Sequence, residues 1–265
     1  MRQAIFLIAL LLAAVPAQGG TITPIDAAAC EAMKLHHVLN AGAPVGCTRL
    51  NLVVFRYWGF DGYSHDGGRI VVLDAVAPAV QRIFVTLYER HFPIAGAELL
   101  DAFDGDDHAS MAANNSSGFN HRAVPDTARL SLHAYGAAID LNPVQNPFLT
   151  RNGAVANIEP AAGAGFLNRG SHRPGKPERA GLAESVVDVF AVNGFTVWGG
   201  DWDDPIDYQH FDIGRALAER LVLLTPDEAR AAFEAVANGY RRCIAQYPDK
   251  PAAVQRQLCL NLTFR

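Results

Sequence analysis

Alternation of apolar and β-branched residues runs through residues 49–58 and predicts a strand, and the apolar run at 70–74 predicts another. Residues 77–91 change period. Val80, Ile83, Phe84 and Leu87 recur at spacings of three and four, which predicts an amphipathic helix ended by Pro93. Upstream, helix formers surround Cys30 within residues 24–48, and a Gly-containing turn at 42–46 closes that segment. Residues 104–125 are polar and rich in turn formers. Beyond them, 132–141 reads as a buried strand entered through a turn, 178–193 as a helix stopped by Gly194, and 195–198 as a short strand. A loop at 199–205 leads to a last strand at 207–213. Helices follow at 213–224 and 226–246, the second capped by Thr225. Short strands with helices gathered around them predict an α+β fold, a single compact domain and not a doubly wound parallel sheet.

The N-terminus adds a different pattern. Arg2 precedes an unbroken apolar run over 5–15, and Val15-Pro16-Ala17 offers small side chains where a signal peptidase reads. The run is shorter than the roughly 20 residues needed to span a bilayer. We expect a signal peptide over 1–17, with Gly19 and Gly20 as alternative cleavage points, no integral membrane segment once it is removed, and an exported protein, periplasmic or secreted. Four cysteines fall as two local couples, Cys30 with Cys47 and Cys243 with Cys259, without C-x-x-C spacing. In an oxidising compartment they suggest disulfides; three pairings are open, and sequence-local loops are the simplest. Half of the 265 residues are hydrophobic, enough for a sizeable core, and the formal charge of −5 comes without a basic cluster. Nucleic acid is therefore not expected as a partner, since phosphate binding needs concentrated Lys and Arg. We expect a monomer.

Unlike functional groups concentrate in two segments, 131–143 and 198–211. Histidine nitrogen with carboxylate oxygen suits zinc, and a catalytic zinc keeps three protein ligands and one open position. His133, Asp140 and His210 would supply them. Asp140 lies between Ile139 and Leu141 in an apolar run, where a carboxylate is costly unless paired or bound to a metal. A turn at Tyr135-Gly136 must bring His133 and Asp140 together. Asp207, three residues before the last ligand, is placed to act as general base, with Asp204 as the next candidate.

Ser131-Leu-His133-Ala-Tyr-Gly136-Ala-Ala138-Ile-Asp140 follows the pattern S-x-H-x-x-G-x-A-x-D, and Asp207-Tyr-Gln-His210 follows D/E-x-x-H. In these motifs the chain resembles the zinc D-alanyl-D-alanine carboxypeptidases and L-alanyl-D-glutamate endopeptidases, which cleave peptidoglycan stem peptides. One branch of that family also has a stretch like residues 106–122, the pairs Asn142-Pro143 and Asn146-Pro147, and the run Trp198-Gly-Gly-Asp201-Trp202. The likeness covers roughly 51–212. It implies a hedgehog/D-Ala-D-Ala peptidase-like fold whose antiparallel sheet lines a zinc cleft with helices around it. It implies Zn2+ on His133, Asp140 and His210, and Asp207 as base. Arg122 would be the cation on the substrate carbonyl or its oxyanion, and Ser131 a substrate hydrogen-bonding residue. His121 stands where the branch often carries an aromatic residue. His172, in the polar loop 169–179, is expected at a mobile cleft rim. The implied partners are peptidoglycan stem peptides. The division expected is an N-terminal extension over 18–50, a zinc peptidase core over 51–214 and a C-terminal helical tail over 215–265. Other readings of these residues are an inactive zinc-binding recognition module of the same fold, and a zinc hydrolase of another amide or ester.

Overall fold

A computed structural model describes residues 20–125, 127–152 and 155–263, so the expected signal peptide at 1–17 lies outside the described residues. Strand β1 (Thr21–Pro24) and helix α1 (Ala27–Leu35) come first. The Asp26 side chain caps α1 by accepting from the Ala29 N–H at 2.8 Å. The alternation at 49–58 becomes β2 (Leu50–Trp58), which pairs antiparallel with β1 on one side and β3 (Ser64–Leu73) on the other. β3 starts six residues before the apolar run that signalled it, because its polar first half is held by pairing with β2 and carries no apolar face to read.

Helix α2 (Ala77–Glu89) lies on this sheet with Val80, Ile83, Phe84 and Leu87 all buried, the face the spacing predicts. Phe84 stacks on Phe55 of β2 with ring centroids 3.7 Å apart. The helix ends two residues short of the expected 91, where His91 takes a left-handed conformation at φ 52°.

The polar stretch that follows holds a short helix, α3 (Asp107–Ala112), capped by Asp106. Then come β4 (Ala138–Asp140), the hairpin β5 (Phe148–Asn152) and β6 (Val155–Glu159), helix α4 (Val187–Val192), and three short strands, β7 (Val197–Trp198), β8 (Ile206–Asp207) and β9 (His210–Asp212). They form two further antiparallel sheets, ordered β4-β9-β7 and β6-β5-β8. The molecule is thus a mixed α/β compact chain of small antiparallel sheets and several helices.

Three expectations are corrected. Residues 132–141 are not one strand: Leu132–Tyr135 forms a 3-10 turn and only Ala138–Asp140 is extended. Ser131 starts that turn by accepting from the His133 N–H, and Gly136 ends it at φ 63°. The helix expected over 178–193 shrinks to α4 after a 3-10 turn at Ala183–Ser185, since Gly181 is left-handed and Asn146 captures the Ala183 N–H. The last strand splits in two, because Tyr208 donates its N–H to Pro147 and the Gln209 carbonyl turns to Leu141.

Helices α5 (Arg215–Leu221), α6 (Pro226–Ile244) and α7 (Ala252–Thr263) complete the chain. Glu228 accepts from the Thr225 N–H at 3.1 Å in a capping box at the start of α6. α7 falls within the helical tail expected over 215–265, though its apolar residues make no clear stripe that would set its bounds. The disulfides are Cys30–Cys47 and Cys243–Cys259, the sequence-local pairing. Among the described residues no helix is long and apolar enough to cross a membrane.

Arg49 ties these layers together. Its guanidinium donates to the Asp74 carboxylate at 2.7 and 3.1 Å and to the Leu224 carbonyl at 2.8 Å. Arg49→Ala would leave Asp74 nearly buried without its cation. Breaking a buried pair from one side costs about 3–5 kcal/mol. Urea unfolding should show the loss in its midpoint, with metal binding intact.

Candidate metal centre

The 3-10 turn after Ser131 carries His133, and β4 carries Asp140. β9 pairs with β4 so that His210 lies opposite Asp140. All three side chains are buried. Asp140 Oδ2 is 3.1 Å from His133 Nε2, Asp140 Oδ1 is 3.1 Å from His210 Nδ1, and the two ring nitrogens are 3.2 Å apart.

The other ring nitrogens face acceptors that select one tautomer of each ring. His133 Nδ1 donates to the Gly118 carbonyl at 2.6 Å, and His210 Nε2 donates to the Asp212 carboxylate at 3.1 Å. In the neutral form that ligates a metal each ring carries one proton, so His133 Nε2 and His210 Nδ1 would both present lone pairs. Together with the Asp140 carboxylate, three lone-pair atoms converge in a buried space. A single proton satisfies one contact of the three; a metal cation satisfies all of them. Ligands about 2.0–2.1 Å from a tetrahedral zinc lie roughly 3.3 Å apart, close to these spacings. The donor set therefore fits a metal ion.

Without a cation the charges report the same crowding. Burial alone would raise the Asp140 carboxyl, but the adjoining His133 and His210 rings hold it well below the usual carboxylate range. Burial opposes charge on His210, yet its bonds to Asp140 and Asp212 raise it well above an ordinary histidine. The bonds of His210 to Asp212 and of His133 to Gly118 are of the kind that orient histidine ligands in metal sites.

Asp207 sits on β8, opposite Phe148 of β5. Its residue is only partly covered, but Oδ1 is enclosed and has no hydrogen-bond partner. Burial, and then the charge of Asp140, push its carboxyl up to about 7. The chain passes close by at Gly199, where an added Cβ would lie 2.4 Å from the Asp207 carbonyl oxygen.

The two remaining candidates have other immediate partners. Arg122 Nη2 is 2.7 Å from Asp107 Oδ2, and the Arg122 carbonyl accepts from the Ser131 N–H at 3.0 Å. Ser131 is buried, its oxygen occupied by the His133 N–H. His121 is half-buried and burial pulls its ring pKa down. His172 is exposed, 3.6 Å from Glu178. Three further residues contribute, of which the motif likeness included only Trp202 by name. Gly118 and Asp212 fix the two tautomers, and Trp202 lays its ring 5.4 Å from that of His210. Asp212 had a signal: two residues after His210 in a strand, it must face the same side. Gly118, a backbone acceptor, had none.

No curated protein and no solved structure matches the chain. One family model does, described as D-alanyl-D-alanine carboxypeptidase, over residues 125–213. This is narrower than the 51–212 of the motif likeness and leaves Gly118, Arg122 and the helices from α5 onward outside. Between residues 125 and 213 the chain thus matches the D-alanyl-D-alanine carboxypeptidase family, and that stretch contains all three members of the buried His–Asp–His group.

Proposed function

We propose that this protein is an exported, monomeric zinc metallopeptidase, periplasmic or secreted, that hydrolyses amide bonds of peptidoglycan stem peptides. The observation that carries the reading is the pairing of three converging lone-pair atoms with an enclosed, unpartnered carboxylate oxygen on Asp207. A module built only to bind zinc has no use for that oxygen, whose burial is costly. The sheet β4-β9-β7 would line the cleft, in a hedgehog/D-Ala-D-Ala peptidase-like fold. Residues 1–17 would be removed, leaving an extension over 18–50, a core over 51–214 and a tail over 215–265.

Zinc held by His133, Asp140 and His210 would supply a Lewis acid for the scissile carbonyl and ease ionisation of water. The protein's own residues would do the rest. As the water oxygen bonds to the carbonyl carbon, Asp207 takes its proton; as the C–N bond breaks, Asp207 returns that proton to the leaving amine. A raised carboxyl is suited to both transfers, because it gives up a proton as readily as it takes one near neutral pH. Arg122 would turn its fixed guanidinium to the carbonyl oxygen, with Asp107 as its resting partner. Ser131 would add a substrate hydrogen bond beside His133.

Incubating the zinc-loaded mature protein with muropeptides and weighing the products tests this directly. Loss of a terminal D-alanine, or a cut between L-alanine and D-glutamate, is the expected result, with all-L peptides poor substrates. Efficient cutting of casein while muropeptides stay intact would reject the cell-wall substrate.

A further inference from the structure

The helix α7 lies beyond the family-matched residues, yet one of its side chains reaches the turn beside the metal ligands. Arg256 is largely buried, with its side chain 12% exposed. Its Nη2 bonds the Asp201 carboxylate and, at 3.3 Å, the Thr196 carbonyl. Thr196 immediately precedes β7, and Asp201 ends the 3-10 turn Gly199–Asp201 that follows it. One guanidinium therefore clamps both ends of a six-residue segment.

What that segment supports is the candidate site. Its first turn residue, Gly199, presses on Asp207 so closely that a methyl group there would overlap it. The residue after Asp201 is Trp202, whose ring tilts at 46° over His210. Strand β7 fixes one side of the turn through its pairing with β9. On the other side Asp201 is half-exposed, and its partner is Arg256. Arg256 is itself held from behind: Cys243–Cys259 joins α7 to α6, and Gln255 donates to the Tyr247 carbonyl at 2.7 Å.

We infer that Arg256 is a positioning residue for the site, acting through Asp201 to seat Gly199 against Asp207 and Trp202 against His210. The C-terminal hairpin of helices is then part of the working centre. The catalytic side of this inference rests on the peptidase reading above; the mechanical side does not.

The test uses the full mature chain labelled with 5-fluorotryptophan, whose three resonances are assigned with Trp58→Phe, Trp198→Phe and Trp202→Phe. In Arg256→Gln and in Asp201→Asn the Trp202 fluorine resonance should shift or broaden while that of Trp58 stays fixed. Zinc content and thermal midpoint should stay near those of the unaltered protein. On muropeptides kcat should fall by up to about 10²-fold, the scale of a small misplacement, with KM little changed. The double variant should be no worse than either single one, and the exchanged pair Arg256→Asp with Asp201→Arg should recover part of the loss. An unmoved Trp202 resonance in both single variants overturns the inference, whatever kcat does. If the unaltered protein cuts no muropeptide, the peptidase reading fails and the fluorine spectra alone decide the positioning role.

Discussion

His210→Ala should leave the protein without zinc and without activity. The unaltered protein should carry about one zinc per chain, in line with a single three-ligand site, and His133→Ala and Asp140→Ala should lose it likewise. Lewis-acid assistance is worth several kcal/mol, and each 1.36 kcal/mol is tenfold in rate, so turnover should fall by about 10³-fold or more. Stability should respond differently. Zinc stabilises only a fold that holds it, so adding zinc should raise the melting temperature of the unaltered protein and leave the three variants where they were. In metal-free buffer His133→Ala and His210→Ala should melt below the parent, because each takes one partner from the buried Asp140 carboxylate that these rings hold ionised. Metal analysis and melts with and without zinc read both effects. Full zinc occupancy in all three variants would reject the site.

Asp207→Asn should keep zinc and lose turnover by about 10²–10⁴-fold, the range for removal of a general acid–base group. The same change should stabilise the metal-free protein. The carboxyl rises from an ordinary 3.8 to about 7 in the folded chain, so the native state binds its proton more tightly than the unfolded state. Stability contributed this way is complete below pH about 4 and declines as pH climbs towards 7. Asparagine removes that decline, so the gain of the variant over the parent should grow between those values and level off above them. Melts from pH 4 to 8 and steady-state kinetics on muropeptides check both halves. Near-normal turnover would pass the role to Asp204.

The elements that could be read from sequence are those whose apolar faces carry a clear period. α2 and β2 show it in Val80, Ile83, Phe84 and Leu87, and in the alternation through Val53 and Phe55. Hairpin β5–β6 and the polar half of β3 did not, since they are defined by backbone pairing and not by a buried stripe. The three candidate ligands were legible because their spacing mixes histidine with a carboxylate, and a carboxylate amid Ile139 and Leu141 needs a reason to be there. Their geometry was not. It depends on the Gly136 turn and on strand pairing between β4 and β9, contacts separated by some seventy residues. Arg122 is expected from the motif likeness as a cation for the substrate carbonyl; its ion-pair partner Asp107 could not be named from sequence, because it comes from a helix hidden in a polar stretch.

Asp207 and His210 are three residues apart, yet they hang from different sheets, one beside β5 and the other beside β4. The chain crosses between the sheets at Tyr208 and Gln209. The distance from the Asp207 carboxyl to the His210 ring is therefore set by how two sheets sit against each other, and not by the pitch of one strand. Lengthening, shortening or exchanging the β5–β6 hairpin would shift Asp207 while the β4-β9-β7 framework stays in place. If the peptidase reading holds, the hairpin is a handle on the proposed proton transfer that is mechanically separate from the candidate ligand set.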